Sequence, residues 1–364
     1  MASSPSGLHA AFSRIWRRRG PAAWLLLPVS LLFGLLVRAR RLLYRAGLLR
    51  VERLPVPVVV VGNIFVGGTG KTPFTIWLAQ QLRAAGFHPG VISRGYGASL
   101  DVPRLVGADA SPAEVGDEPL LIARHGGCAM AVGRNRAAAG RALLAAHPET
   151  DVLLLDDGLQ HYALARDLEI MLFDGRGAGN GWLLPAGPLR EPPSRRRDVT
   201  VINGSAVDGL PGMPGMPTSA FGMQLRGQWA VQLANPDSRI ALAELAARRP
   251  APEIVAAAGI GNPERYFAML EGEGLRFSRM PLPDHYAFDE NPFAGIDADV
   301  ILITEKDAVK CRHSDVLRND ARLWFVPVEA VIDAALADYI VEKLRGFPTH
   351  RHPGLPDLQT RAGL

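Results

Sequence analysis

Cysteine is scarce in this sequence: only two occur among 364 residues, Cys128 and Cys311. They lie far apart along the chain, so they can form neither a disulfide framework nor a zinc cluster. This composition fits a reducing compartment such as the cytoplasm. Apolar residues make up 48% of the chain and charged residues 21%. We therefore expect a mostly soluble folded body, long enough for two α/β domains.

A signature of nucleic-acid binding is also missing, although the isoelectric point is about 9.3 and the formal net charge is +4. The arginines concentrate at the N-terminus and at residues 195–197, without interleaved aromatic residues or an RNA-binding motif. An anionic lipid surface explains this distribution better, and we expect no nucleic-acid partner. No G-x-G-x-x-G follows a strand, which argues against a dinucleotide-dependent oxidoreductase.

The apolar run near the N-terminus, residues 22–37, is shorter than the ~20 residues that a membrane span requires, and Pro28 interrupts it. Arginines flank it on both sides, so they indicate no orientation. We expect residues 1–46 to form an in-plane or shallowly inserted membrane anchor whose apolar residues, Trp24 among them, have no partner except lipid. A true span, a secretory signal and a core helix remain alternatives.

From residue 56 onward, short apolar runs alternate with helical stretches. This alternation predicts an α/β fold: a mostly parallel sheet of the P-loop NTPase type with helices on both faces, followed by a second, smaller α/β domain. The glycine- and proline-rich residues 204–218 are the predicted linker. The expected divisions are an N-terminal membrane-associated segment at 1–46, a P-loop domain at 47–218, a second domain with a closing helix at 219–345, and a loose tail at 346–364.

The most informative motif is a glycine loop between a β-branched strand, residues 58–61, and a helical stretch. The loop reads Gly67-Gly68-Thr69-Gly70-Lys71-Thr72-Pro73. Its glycines let successive backbone N–H groups turn toward one anion. Lys71 would place a cation on the β- and γ-phosphates, and the Thr72 hydroxyl could hold Mg²⁺. Phe65 stands where the usual motif has its first glycine. The pattern predicts binding of a nucleoside triphosphate.

A hydrophobic strand, residues 152–155, ends in Asp156 and Asp157. A carboxylate at this place organises Mg²⁺ opposite the P-loop hydroxyl, although aspartate is also common at strand ends for backbone reasons. The candidate metal ligands are Thr72, Asp156, Asp157 and Glu118.

Two further residues are not identified as catalytic by pattern alone. Asp117, followed by Glu118 and Pro119, is equally well explained as a helix N-cap, and His285 is a single histidine in a loop. Thr304-Glu305-Lys306-Asp307 is close to the guanine-binding [NT]-K-x-D pattern, but its lysine comes one place late, and its role stays open. Arginines at 176, 190 and 195–197 lie in glycine- or proline-rich loops. We expect most of them to be solvated and one or two to face phosphate.

Taken together, these segments resemble the tetraacyldisaccharide 4′-kinase family of lipid A biosynthesis. The matching motifs follow the family order from about residue 55 to 310 and are Gly62-Asn63 with the glycine loop, Ser93-Arg94-Gly95-Tyr96-Gly97, Gly116-Asp117-Glu118-Pro119, Asp156-Asp157-Gly158-Leu159-Gln160-His161, Leu184-Pro185-Ala186-Gly187-Pro188-Leu189-Arg190-Glu191, Pro283-Asp284-His285 and Thr304-Glu305-Lys306-Asp307-Ala308-Val309-Lys310. The P-loop of this family also departs from the usual first glycine.

The resemblance implies a kinase that uses ATP and Mg²⁺ to phosphorylate the 4′-hydroxyl of a tetraacylated glucosamine disaccharide 1-phosphate. It also implies a monotopic or peripheral position on the cytoplasmic face of a Gram-negative inner membrane, with a cleft between two domains as the site. Asp117 and His285 would activate the acceptor, and Lys71 would act on the phosphates. Candidate substrate-binding residues are Arg94, Tyr96, Gln160, His161 and Arg190. No obligate protein partner is evident, and the alternative is a membrane-docked ATPase or nucleotide switch that acts on a protein.

Overall fold

The computed structural model describes residues 12, 14–95, 102–107, 109–204 and 220–347. Tyr96, most of the predicted linker (205–218) and most of the predicted tail (348–364) lie outside the described residues. The strands are, in chain order, β1 (Val58–Gly62), β2 (Pro89–Ser93), β3 (Arg104–Leu105), β4 (Ala129–Val132), β5 (Val152–Asp156), β6 (Leu168–Asp174), β7 (Val199–Asn203), β8 (Ala220–Arg226), β9 (Trp229–Gln232), β10 (Arg239–Ala241), β11 (Ile254–Ala258), β12 (Ser278–Pro281), β13 (Val300–Thr304), β14 (Leu323–Val326) and β15 (Glu329–Ile332). The helices are α1 (Pro21–Arg45), α2 (Lys71–Ala84), α3 (Pro112–Val115), α4 (Asp117–Gly126), α5 (Arg136–Ala146), α6 (Leu242–Ala247), α7 (Pro263–Gly272), α8 (Glu305–Cys311) and α9 (Ala334–Arg345).

Nine of these described strands form one large sheet in the order β15-β8-β7-β6-β1-β5-β2-β4-β3. Neighbouring strands are parallel except at the two edges, where β15 and β3 pair antiparallel. Side chains of β1 alternate between two cores: Val59 and Val61 join one apolar cluster, and Val58 and Val60 join another. A sheet with both faces covered by apolar layers produces such all-apolar strands. The predicted fold class is confirmed.

The other six described strands form a second sheet in the order β10-β9-β14-β13-β11-β12. Its last four strands are parallel, and β9 and β10 add antiparallel pairs at one side. Phe267 and Leu302 are buried in one cluster of this body, and Phe293 and Ile303 in another. The second body therefore has a core of its own.

The expected boundary between the domains does not follow the sheets. Strand β8 pairs with β7 of the large sheet, and β15 returns to pair with β8. Helix α9 buries Leu336, Ile340 and Leu344 in a core of the large sheet. Strand pairing and this apolar burial place both ends of residues 219–345 with the first domain. We propose that the second domain comprises residues 227–328, so that the chain crosses between the domains twice.

Helix α1 begins after Gly20 and runs 25 residues with Pro28 inside it, so the proline that interrupts the apolar run does not end the helix. A proline removes only one N–H donor, which a long helix can tolerate. Within the described residues, α1 is the helix long and apolar enough to cross a membrane by length and composition. One side contacts the body: the Ser30 hydroxyl donates to Leu183 O at 2.7 Å.

The expectation that Trp24 has lipid as its only partner is wrong, because its ring lies edge-on to Trp182 at 4.9 Å. The remaining apolar surface of α1 faces outward. Leu25 is 81% exposed, and Leu32 and Leu36 are exposed as well. Thus α1 is a surface helix with one side held by the protein and a wide apolar side uncovered.

Candidate active site

The P-loop joins β1 to α2 at the carboxyl edge of the large sheet. Gly67 and Gly70 have φ of 105° and 95°, a backbone region that favours glycine, and Gly70 caps α2. The Asn63 amide donates to Gly67 O and to the Thr69 hydroxyl, both at 3.0 Å. These bonds hold the loop open so that the amides at the start of α2 can face an anion.

Phe65, the departure from the usual motif, forms a side wall of this loop. The Arg176 guanidinium lies 4.3 Å from the centre of its ring. Arg176 also donates to Gly68 O at 3.0 Å and pairs with Asp174 at 2.7 Å. An aromatic ring supports the stacked arginine in a way that glycine cannot. Phe65 therefore helps to fix the arginine that braces the loop.

Lys71 and Asp157 face each other beside the P-loop. Lys71 Nζ lies 3.6 Å from Asp157 Oδ1, and Arg190 Nη1 lies 3.6 Å from Asp157 Oδ2. Burial alone would raise the pKa of Asp157, but the charges of Lys71 and Arg190 outweigh it and lower the pKa. Asp157 Oδ1 is buried without a hydrogen-bond partner among the described residues. The site thus presents an anionic oxygen with spare acceptor capacity.

Asp156 lies deeper, at the end of β5, and is 1% exposed. The hydroxyls of Thr75 and Ser93 donate to its two oxygens at 3.3 Å each. Burial, followed by the charges of Glu118 and Asp157, raises the pKa of Asp156 to about 7. Among the described residues, the hydroxyl of α2 that donates to this carboxylate is that of Thr75 and not that of Thr72. Sequence reasoning missed Thr75, one helical turn beyond the motif.

Asp117 and His285 are brought together from the two domains. His285 Nδ1 lies 3.3 Å from Asp117 Oδ2, while Asp117 Oδ1 accepts from the Glu118 N–H at 2.9 Å. Asp117 is the first residue of α4, with Gly116 at the cap position, so it serves the helix start and the histidine at once. Burial would raise the pKa of Asp117, but the hydrogen bond to His285 and the charge of Lys306 hold it below its ordinary value.

Two lysines of α8 complete this cluster, and the sequence did not identify them. Lys310 Nζ lies 3.5 Å from Asp117 Oδ2, and Lys306 Nζ lies 2.9 Å from Glu118 Oε1. Burial would lower the pKa of Lys306, but Glu118 and then Asp117 raise it above its ordinary value. Both lysines lie in Thr304-Glu305-Lys306-Asp307-Ala308-Val309-Lys310. Their spacing of four on a helix is the feature that could have revealed them.

Asp307 of the same motif is structural. Its Oδ2 accepts from the Thr304 hydroxyl at 2.6 Å and from the Gly259 N–H at 2.9 Å. Thr304 in turn caps α8 by accepting from the Asp307 N–H. These bonds set the start of α8 and thereby the direction of its two lysines.

The second domain meets the P-loop directly. A β-carbon added to Gly261 would lie 2.9 Å from Gly68 N and 3.0 Å from Asp284 Oδ2, the neighbour of His285. Arg265, at the start of α7, pairs with Asp174 at 2.6 Å. The cleft is therefore lined on one side by the P-loop and on the other by the loop that carries His285.

The structure brings some predicted substrate residues to this cleft and not others. Arg190 lies at the cleft, where it pairs with Asp157. The Gln160 amide instead donates to Glu191 Oε1 at 3.1 Å, so this side chain supports the P-loop from below. Burial, then the charge of Arg136, lowers the pKa of His161 to about 4. Arg94 is exposed just after β2, and Tyr96 is outside the described residues.

The expectation that most of the loop arginines are solvated does not hold for Arg195, whose side chain is 2% exposed and pairs with both Glu169 and Glu191 at 2.6 Å. Both cysteines are free, as the sequence indicated.

The chain matches the family described as LpxK, tetraacyldisaccharide-1-P 4′-kinase, over residues 22–345. A tetraacyldisaccharide 4′-kinase from Herminiimonas arsenicoxydans is 62% identical over 355 residues, covering 95% of this chain and 98% of that protein. A protein of the same name from Janthinobacterium sp. (strain Marseille) is 62% identical over 348 residues, 95% of this chain and 99% of that protein. The crystal structure of LpxK from Aquifex aeolicus in complex with ATP is similar with a TM-score of 0.71 at 29% identity, covering 89% of this chain and 99% of that one. The resemblance noted in the motifs is thus confirmed, and the chain belongs to the tetraacyldisaccharide-1-P 4′-kinase family.

Proposed function

We propose that this enzyme transfers the γ-phosphate of ATP to the 4′-hydroxyl of a tetraacylated glucosamine disaccharide 1-phosphate, which yields the 1,4′-bisphosphate. Relatives that are 62% identical over nearly the whole chain carry the corresponding name. The observation that carries the proposal is the cleft itself. A phosphate-binding loop from one domain faces a carboxylate–histidine pair completed by the other, Asp117 Oδ2 and His285 Nδ1, at 3.3 Å.

ATP is the proposed donor because the P-loop has the geometry for a triphosphate and a relative of known structure is a complex with ATP. Lys71 pairs with Asp157 and lies 3.4 Å from Asn63 Oδ1. A triphosphate in the loop would compete for this cation. Lys71 then stabilises the negative charge that develops on the transferred group.

The donor set at the end of β5 fits Mg²⁺. It consists of oxygens alone, the ligand type that Mg²⁺ prefers, and Asp157 Oδ1 has no hydrogen-bond partner among the described residues. No group of three or more histidine, cysteine, aspartate or glutamate side chains in this part of the chain could hold a metal unaided. That agrees with an ion held partly by phosphate and water. Asp156 and Asp157, with Thr72 and Glu118 as further candidates, would hold it, and it would neutralise phosphate charge.

Asp117 and His285 are the proposed acceptor-activating pair. A sugar hydroxyl is a poor nucleophile at neutral pH, and in phosphoryl transfer its proton leaves late. Asp117 provides the anionic oxygen, and His285 orients that carboxylate from the opposite domain. The lysines at 306 and 310 keep Asp117 ionised in the resting enzyme.

We further propose that the enzyme works at the cytoplasmic face of the inner membrane, where ATP is available and the acylated acceptor resides. The uncovered apolar side of α1 and the arginines around it supply two attachment signals, which durable binding to an anionic lipid surface needs. The alternative, a nucleotide switch acting on a protein, is not favoured by the relatives' names.

The test is phosphate transfer from γ-labelled ATP, with the purified full-length enzyme and a panel of membrane glycolipids in mixed micelles. The panel contains the tetraacyl disaccharide 1-phosphate, its 4′-deoxy analogue and a glycolipid without amino sugars. We expect label only in the first lipid, and none with Lys71→Ala. Release of labelled inorganic phosphate at the same rate with and without acceptor would contradict the proposal and favour the switch.

A further inference from the structure

A cavity with a polar lining lies at the end of the large sheet where β6 begins, opposite the end that carries the P-loop. It is a cavity of about 410 Å³ between the last turn of α1, the start of β6 and the loop before β7. The P-loop lies at the carboxyl end of β1. Asp174, the partner of the Arg176 that braces the loop, ends β6, whereas Leu168 begins β6. The seven residues of β6 separate these ends by roughly 20 Å. The cavity is therefore separate from the phosphoryl-transfer site.

Arginine dominates the lining. The six are Arg41, Arg45, Arg166, Arg195, Arg196 and Arg197, against three acids, Asp167, Glu169 and Asp198. Arg195 is neutralised by Glu169 and Glu191, and Arg166 pairs with Glu169 at 2.9 Å. Asp167 is already paired with Arg53 outside the lining, at 2.8 Å. Asp198 accepts from the Glu169 N–H at 2.8 Å. Six arginines face three acids in the lining, so the cavity carries excess positive charge.

Three of the arginines supply this excess. Arg45 and Arg196 are exposed and form no ion pair with another described residue. Arg197 donates only to neutral oxygens, the Thr200 hydroxyl at 2.7 Å and the carbonyl oxygens of Pro193 and Arg195. Burial lowers the pKa of Arg197, as expected for a guanidinium without a carboxylate beside it. Three guanidinium groups without a carboxylate around one cavity suit a phosphate group, which they can bind bidentately.

The position of the cavity on α1 identifies the kind of phosphate. Arg41, Tyr44 and Arg45 line the cavity, whereas Leu42 and Leu43, in the same turn, are exposed. A ligand with its phosphate among the arginines would have apolar surface directly beside it. The rings of Tyr44 and Tyr162, 5.8 Å apart, fix this end of the helix to the body. A head group with acyl chains fits both surfaces, and a soluble phosphate fits only one.

We propose that this cavity binds the phosphate head group of an anionic membrane phospholipid, distinct from the acceptor glycolipid, and so sets how the body sits on the bilayer. The proposal rests on the membrane placement of α1 and not on the phosphoryl-transfer activity. Its ligand is a structural lipid, bound at the end of the large sheet where β6 begins and away from the P-loop.

The test compares two double variants that remove equal charge. Arg45→Gln/Arg196→Gln changes the cavity, and Arg17→Gln/Arg18→Gln removes two exposed arginines beyond the other end of α1. Binding of the full-length protein is measured on phosphatidylcholine vesicles with and without phosphatidylglycerol. Diffuse attraction predicts an equal loss for both, about fivefold per charge. A head-group site predicts a further loss of about tenfold for the cavity variant, because direct hydrogen bonds to phosphate are lost as well. Equal losses would overturn the proposal.

Two further arms separate the other causes. Leu32→Ser/Leu36→Ser should weaken binding to both vesicle types. Unchanged binding would show that α1 is not placed in the membrane, and the head-group proposal would be wrong. The kinase assay would still test the proposed phosphoryl transfer independently. Inorganic phosphate and glycerol phosphate should compete only at far higher concentrations than the lipid. A different outcome would be that inorganic phosphate raises the melting temperature of the unmodified protein but not of Arg45→Gln/Arg196→Gln, while the two proteins bind vesicles equally. The cavity would then bind soluble phosphate, and the proposal would be wrong. ATP affinity and melting temperature of each variant report folding.

Discussion

Replacing Asp156 by asparagine should stabilise the protein while abolishing its activity. The carboxylate is buried at the end of β5, next to Asp157 and close to the charge of Glu118. Its only hydrogen-bond donors among the described residues are the Thr75 and Ser93 hydroxyls. Asparagine has the same shape, and its amide can donate to either hydroxyl, so the substitution removes a costly charge without leaving a cavity.

The size of the effect follows from the pKa of Asp156, which rises from its ordinary 3.8 to about 7 in the folded protein. A carboxyl group with a raised folded-state pKa costs nothing below its unfolded pKa, and the cost grows as pH rises between the two values. At ~1.4 kcal/mol per pKa unit, the cost is about 4 kcal/mol near pH 8 and between about 1 and 2 kcal/mol near pH 5. The gain from the substitution should shrink accordingly on acidification.

The assay is denaturant unfolding of both proteins near pH 8 and near pH 5, without nucleotide or metal. Asp157→Asn is the matched control, because the pKa of Asp157 is lowered and the sign must reverse. A carboxyl group with a lowered folded-state pKa stabilises the protein at pH values above its unfolded pKa, and this stabilisation is lost as pH falls. Asp157→Asn should therefore be less stable than the unmodified protein near pH 8. A stability gain for Asp156→Asn that is the same at both pH values would refute the reasoning, as would a loss near pH 8.

Magnesium and ATP provide a second readout of the same residue. A cation beside Asp156 favours the ionised carboxylate, so MgATP should raise the melting temperature of the unmodified protein more than that of Asp156→Asn. ATP with EDTA should raise the two melting temperatures by similar amounts. If MgATP protects both proteins equally, Asp156 is not part of the metal site.

Further predictions concern the cleft. Lys71→Ala should reduce kcat at least ~10³-fold in the glycolipid assay, since the cation acts on the transferring group; one tenth of the activity remaining would contradict the P-loop role. Asp117→Ala and His285→Ala should each lower kcat far more than they raise KM for ATP, and the double variant should be little worse than the worse single one; fully multiplicative losses would show that they act separately. Arg265→Gln, which unties the second domain from β6, should lower kcat/KM for ATP about tenfold, while the exposed Arg279→Gln should leave it unchanged.

The local parts of the site could be predicted because the order of neighbouring residues determines them. A buried strand, then glycines, then Lys71 defines a phosphate loop, and a second buried strand ending in Asp156 and Asp157 defines the acidic partner. Parallel strands bring these carboxyl ends to one edge. The elements that position both motifs lie within a few residues of them.

The long-range parts could not be predicted from local pattern. Asp117 and His285 are 168 positions apart, and only the family resemblance paired them. Lys306 and Lys310 lie in a motif of the family resemblance, but their contacts with Glu118 and Asp117 become visible only when α8 is seen beside α4. The sheets divide the chain differently from the expected domain boundary for a similar reason. The return of β15 and α9 to the large sheet depends on packing against a distant core.

The nucleotide loop and helix α1 are connected by one buried carboxylate. Glu191 is 1% exposed and accepts from Gln160, whose amide also lies 3.4 Å from Asn63 O, at the base of the P-loop. Its charge is balanced by the buried Arg195 at 2.6 Å and by Arg41 of α1 at 3.9 Å. A buried carboxylate is costly without such cations. Helix α1 therefore contributes to the network under the nucleotide loop, and the helix proposed to attach the enzyme to the bilayer shares this carboxylate with the support of the active site.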